Sequence, residues 1–111
     1  MIEIDVFRRP DGVAVVVPQG RHNMVAARQM KELLAILLEE GSARIVVDLA
    51  ATTFLDSSGL GALIGGLKGA RQAGGDLRIA RPTAEVLTVF QLTNMDKVLR
   101  PREDVESAFD V

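Results

Sequence analysis

Reactive side chains gather in one stretch of this chain, Phe54-Leu55-Asp56-Ser57-Ser58-Gly59-Leu60-Gly61. A carboxylate, two hydroxyls and two glycines follow a short β-branched run, Ile45-Val46-Val47-Asp48-Leu49, and precede an apolar repeat, which is the pattern of a strand-to-helix junction. The free amides at a helix start and the positive end of its dipole favour an anion there. Ser57 is the expected N-cap, its Oγ close to the amides of Gly59 and Leu60, with Gly59 allowing close backbone access. A phosphate on Ser57 would add roughly −1.5 to −2 charge next to Asp56, and the helix end would tolerate it. Such a modification is expected to change binding more than fold.

Three other chemistries fit the same residues to different degrees. Taken alone, Asp56 and the two serines read first as a helix cap and nothing more. A nucleophilic serine is disfavoured, because G-x-S-x-G is absent and His22 is the only imidazole available as a base. A nucleotide loop is suggested by Gly61-Ala62-Leu63-Ile64-Gly65-Gly66-Leu67-Lys68, but the adjacent Gly-Lys-Ser/Thr is missing and the apolar residues fall on a helical stripe. Gly61 and Gly65 are instead expected to let the helix lie close to the sheet or to a partner, at about 1 kcal/mol each relative to Ala.

Composition narrows the field further. The 111 residues are 48% hydrophobic and 25% charged, which fits one folded domain, 1–111, without disulfides or metal. With no Cys and one His, thiol catalysis and the usual zinc sites are excluded, so no metal or cofactor is expected. Thirteen Lys and Arg against 15 Asp and Glu leave a net charge of −2, and no Trp or Tyr supplies a stacking platform. Nucleic-acid binding is therefore not expected. The acidic, alternating start Met1-Ile2-Glu3-Ile4-Asp5-Val6 is unlike a signal peptide, and no apolar run reaches the roughly 18 residues of a membrane span. The expectation is a cytoplasmic protein with no membrane contact.

The elements that must hold the junction can be read from periodicity. Ile2, Ile4 and Val6 alternate as an edge strand, Arg9 to Gly12 turn, and Val13 to Val17 form an interior strand ended by Pro18 and Gly20. Met30, Leu33, Leu34, Leu37 and Leu38 mark an amphipathic helix over 25–40, with Asn23 as N-cap and Gly41 beyond its end. Leu60, Leu63, Ile64 and Leu67 mark a second helix closed by Gly74-Gly75. Leu77 to Ala80 give a further strand, and Pro82 and Thr83 start a third helix through Phe90. Val98-Leu99 read as a short last strand and Glu103 to Phe109 as a terminal helix. The alternation predicts an α/β fold, a small mixed β-sheet with helices packed mainly on one face.

These segments resemble the anti-sigma-factor antagonists, which are single STAS domains. The resemblance rests on Ile45 to Leu49, on Phe54 to Gly61, on Gly74-Gly75-Asp76-Leu77 and on Leu92-Thr93-Asn94-Met95-Asp96-Lys97-Val98, and so covers nearly the whole chain. It implies that Ser57 accepts a phosphate from a serine kinase that is itself the anti-sigma factor, with Ser58 the weaker candidate. It also implies a partner surface of Asn23, Asp56, Ser57, Ser58, Gly59, Leu60 and Gly61, release of the sigma factor by the unmodified form, and a phosphatase that restores that form. The family commonly has an acidic or small residue, an apolar one and then an aspartate after the glycine that follows the second strand. Here Gly20 leads to Arg21, His22 and Asn23, so the capping ability is kept without the charge. Arg21 and His22 read either as solvated loop residues or as part of a divergent partner surface. Two other classes stay open: a STAS regulatory subunit of a transporter or signalling assembly in which Ser57 only caps a helix, and a small nucleotide- or ligand-binding domain using the 57–61 helix end.

Overall fold

Strands that are apolar at every position need cover on both faces, and the fold supplies it in two different ways. The computed structural model describes residues 2–109; Met1, Asp110 and Val111, the ends of the expected 1–111 domain, lie outside the described residues. In chain order the elements are β1 (Ile4–Arg8), β2 (Ala14–Pro18), β3 (Gly20–His22), α1 (Met24–Glu39), β4 (Arg44–Asp48), β5 (Thr52–Leu55), α2 (Ser57–Gln72), β6 (Asp76–Ala80), α3 (Ala84–Leu92) and α4 (Asp96–Leu99).

The main sheet has the order β1-β2-β4-β6, with β1 antiparallel to β2 and the other pairs parallel. It is the small mixed sheet expected from the alternation of elements. One face packs Val16, Ile45, Val47, Leu77 and Ile79 against Met30, Leu34 and Leu37 of α1 and Leu63 and Leu67 of α2, all buried. Each such side chain contributes roughly 1.5–3 kcal/mol on burial. The other face, Val13, Val15, Val46 and Ala80, is closed by Ala108 with Val105 and Phe109. That cover is a run of turns, so the terminal helix expected over 103–109 does not form. Its apolar spacing at Val105, Ala108 and Phe109 serves sheet contact, and Phe109 is held by the guanidinium groups of Arg78 and Arg44, 4.5 and 5.0 Å from its ring centre. Val98 and Leu99 belong to α4 and not to a final strand; the strand-like bridge falls later, between Arg102 and Ala80.

Helices α1 and α2 lie side by side, and glycine permits their close approach. A Cβ on Gly66 would lie 2.6 Å from Leu34 Cδ1, and one on Gly69 would lie 2.8 Å from Leu38 Cδ1. Gly61 and Gly65 are exposed, with nothing within 4 Å of an added Cβ, so they do not bring the helix close to the sheet.

Candidate functional site

Two short strands that the sequence pattern does not announce build the site. Gly20, at φ +87°, bends the chain out of β2, and β3 then pairs in parallel with β5, Arg21 opposite Phe54 and His22 opposite Leu55. Thr52 fastens this ribbon to the main sheet, its buried Oγ1 donating to the Pro18 carbonyl at 3.0 Å. Each strand runs straight into a helix. Asn23 and Asp56 therefore cap α1 and α2 side by side, and the Asp56 N–H donates to the His22 carbonyl at 3.4 Å.

The cap of α2 is Asp56, not Ser57. Asp56 Oδ1 accepts from the Gly59 N–H at 3.0 Å and from the Ser58 hydroxyl at 2.6 Å. The Gly59 amide is the third after Asp56 and the second after Ser57, within reach of a cap at either position, and the carboxylate, as an anion, binds it more strongly. The Ser58 hydroxyl and then the Gly59 amide hold the Asp56 carboxyl below the usual carboxylate range. Ser57 is thereby left as the first helical residue, exposed, its Oγ making no hydrogen bond among the described residues. Of the two hydroxyls, one is engaged and one is free.

The expected partner residues divide by depth. Asn23, Ser57 and Gly61 are exposed, and Asp56 and Ser58 are half-buried. Gly59 and Leu60 are buried, so they support the site from below. Asn23 accepts from the Ala26 N–H at 3.1 Å, as a cap should. Beyond it, Met24 and Val25 are largely exposed, 70% and 54%. A cleft of about 380 Å³ between the helices is lined by Met24, Arg28, Lys31, Ser58 and Gly61 with Ala27 and Ala62.

His22 and Arg21 part company. Arg21 is exposed and its guanidinium stacks 4.2 Å from the centre of the Phe54 ring. His22 is 0% exposed, which corrects its reading as a solvated loop or partner-surface residue. Neither ring nitrogen has a hydrogen-bond partner, and a Cβ on Gly59 would stand 2.5 Å from Nδ1 and 2.8 Å from the His22 carbonyl. Burial pushes the imidazole below its ordinary value, opposed first by the polar backbone of His22 itself and then by the charge of Asp56. The sequence signal for this was the β-strand alternation Gly20-Arg21-His22, too short to recognise.

A cavity of about 890 Å³ lies away from this site and is lined by Arg81, Arg100 and Arg102 together with Asp96, Glu103, Pro82, Pro101 and Leu87. Its cations and carboxylates are mixed, and Arg81 is committed to buried Asp48 through contacts of 2.6 and 3.2 Å. Among the described residues no three His, Asp or Glu side chains cluster as a metal site, and no helix is long and apolar enough to cross a membrane.

Residues 6–108 match the STAS domain family. The anti-sigma-B factor antagonist of Bacillus subtilis is 26% identical over 98 residues, covering 88% of this chain and 88% of that protein. A solved anti-sigma factor antagonist from Mycobacterium paratuberculosis is similar with a TM-score of 0.85 at 25% identity, over 97% of this chain and 91% of the other. The anti-sigma factor antagonist SpoIIAA in its unphosphorylated form gives a TM-score of 0.84 at 20% identity, over 97% and 94% of the two chains. Its phosphorylated form gives 0.76 at 19%, over 97% of each. At those identities the SpoIIAA likeness is one of fold.

Proposed function

The chain belongs to the STAS domain family, and we propose that it acts as an anti-sigma factor antagonist whose binding is switched at Ser57. The observation that carries this reading is the contrast at the start of α2, where the Ser58 hydroxyl is bound by Asp56 while Ser57 Oγ is exposed and unengaged. A hydroxyl so placed can enter the ATP site of a partner without any rearrangement of the fold. In the reaction the γ-phosphoryl group of ATP passes to Ser57 Oγ, the hydroxyl proton is lost and ADP departs. The chain is substrate and switch, not catalyst.

Unmodified, the face formed by Asn23, Asp56, Ser57, Ser58 and Gly61 docks on a kinase-type anti-sigma factor, which then cannot hold its sigma factor. Phosphorylated, it carries roughly two further negative charges beside Asp56, and like-charge repulsion with the cost of desolvating a dianion releases it. The helix survives the change because its first amides and dipole favour an anion. A phosphatase returns the chain to the binding form, and the cycle runs in the cytoplasm. The test is the affinity of the purified kinase for the unmodified chain and for Ser57→Glu. At least a tenfold weaker complex with Ser57→Glu is expected; equal affinity contradicts the switch.

A further inference from the structure

Phosphoryl transfer as described above uses no imidazole, yet the one imidazole of the chain is packed against the helix turn that carries the acceptor. His22 lies wholly inside, with both ring nitrogens unpartnered, against the backbone of Gly59 in the first turn of α2. Asp56 is the charged group at the β5–α2 junction beside it, tied to the His22 carbonyl by its own N–H at 3.4 Å. On its own strand, Arg21 is turned onto Phe54 at the surface, and Arg28 and Lys31 of α1 line the outer cleft beside Ser58. An ionisable group in such a place responds strongly to added charge, because little water screens it.

We propose that His22 is an internal sensor of the charge at position 57: negative charge placed there draws a proton onto the buried imidazole, so that phosphorylation and mild acidification favour one another. The functional sense of the coupling rests on Ser57 being the phosphoacceptor, but the coupling itself does not. It is reciprocal by thermodynamic necessity. By whatever factor a phosphate raises the proton affinity of His22, a proton on His22 stabilises the phosphorylated form over the unmodified one. The fold thus gives the switch a bias toward its released state as pH falls below neutrality.

The single histidine makes the test direct, since one imidazole Hε1 resonance can be followed by NMR against pH in the whole chain. The proteins are the unmodified chain, Ser57→Glu, Ser57→Lys and Lys68→Glu, the last placing a charge change far along the exposed side of α2. The midpoint is expected to rise by about half a pH unit in Ser57→Glu, to fall by about as much in Ser57→Lys, and to stay within about a tenth of a unit in Lys68→Glu. Far-ultraviolet circular dichroism is recorded on the same samples. The proposal is overturned by equal midpoints at all three states of position 57, by a Lys68→Glu shift as large as that of Ser57→Glu, or by a histidine that titrates only as the fold is lost. Because the charge is installed by substitution, failure of any kinase to modify Ser57 would count against the proposed function and leave this result standing.

Discussion

The two helix starts delivered by the β3·β5 ribbon are built to one plan and finished with opposite chemistry. At α1 a neutral Asn23 caps a single amide, and the next residues, Met24 and Val25, are apolar and exposed. At α2 a charged Asp56 holds an amide and a hydroxyl together, and the next residue, Ser57, is polar, exposed and free. Position in the fold alone therefore does not set the chemistry of a helix start. The α1 start offers exposed apolar surface, whereas the α2 start sets a carboxylate beside an exposed hydroxyl.

The strongest contrast is between the buried and open sides of α2. Gly59→Ala is expected to destabilise the chain by about 2–3 kcal/mol in urea unfolding, because the new methyl group meets both the ring and the carbonyl of His22. Gly61→Ala, two residues on and in open space, should instead stabilise by up to about 1 kcal/mol. A similar loss in both would mean that the α2 start is not locked onto β3. Next come the caps. Asp56→Ala should cost about 1–2 kcal/mol and free the Ser58 hydroxyl, while Asn23→Ala should cost about 1 kcal/mol and leave α2 unaltered in amide exchange. If Asn23→Ala exposed the first turn of α2, the two starts would be one cooperative unit and not two.

The smallest effect is in pH dependence. The Asp56 carboxyl is held below its ordinary value of 3.8, so its stabilisation is present above that value and is lost as pH falls through the lower folded-state one. Asp56→Asn should flatten the acid limb of the stability curve between about pH 4 and pH 2, measured as the urea midpoint against pH. Asn23→Asp should steepen that limb, giving α1 what α2 now has. His22, held below 6.5 by burial, adds a separate loss as pH falls below that value, since the unfolded chain takes up the proton first.

Much of this organisation was open to reading from residue order. The all-apolar Val13 to Val17, the stripe of α1 with Asn23 before it and Gly41 after it, and the Asp-Ser-Ser-Gly junction each carry a local signal that tertiary packing reinforces. What escaped was non-local. Gly20-Arg21-His22 is only three residues long, and its strand character arises from pairing with Thr52 to Leu55, distant in sequence. With β3 unseen, His22 had no reason to be inside. At α2 the sequence favours Ser57 as cap and the structure uses Asp56, because both Asp and Ser are strong caps and the choice turns on which oxygen reaches the Gly59 amide. Val105, Ala108 and Phe109 have helical spacing, yet burial against the second face of the sheet and the two arginines around Phe109 hold them in turns.

The central claim, that the free hydroxyl at the start of α2 is the modified group, is tested most directly by intact-mass measurement after incubation with ATP and each serine kinase of the same cell, on the unmodified chain, Ser57→Ala and Ser58→Ala. One phosphate is expected on the unmodified chain and on Ser58→Ala, and none on Ser57→Ala. A phosphate that persists on Ser57→Ala and disappears from Ser58→Ala would contradict the account.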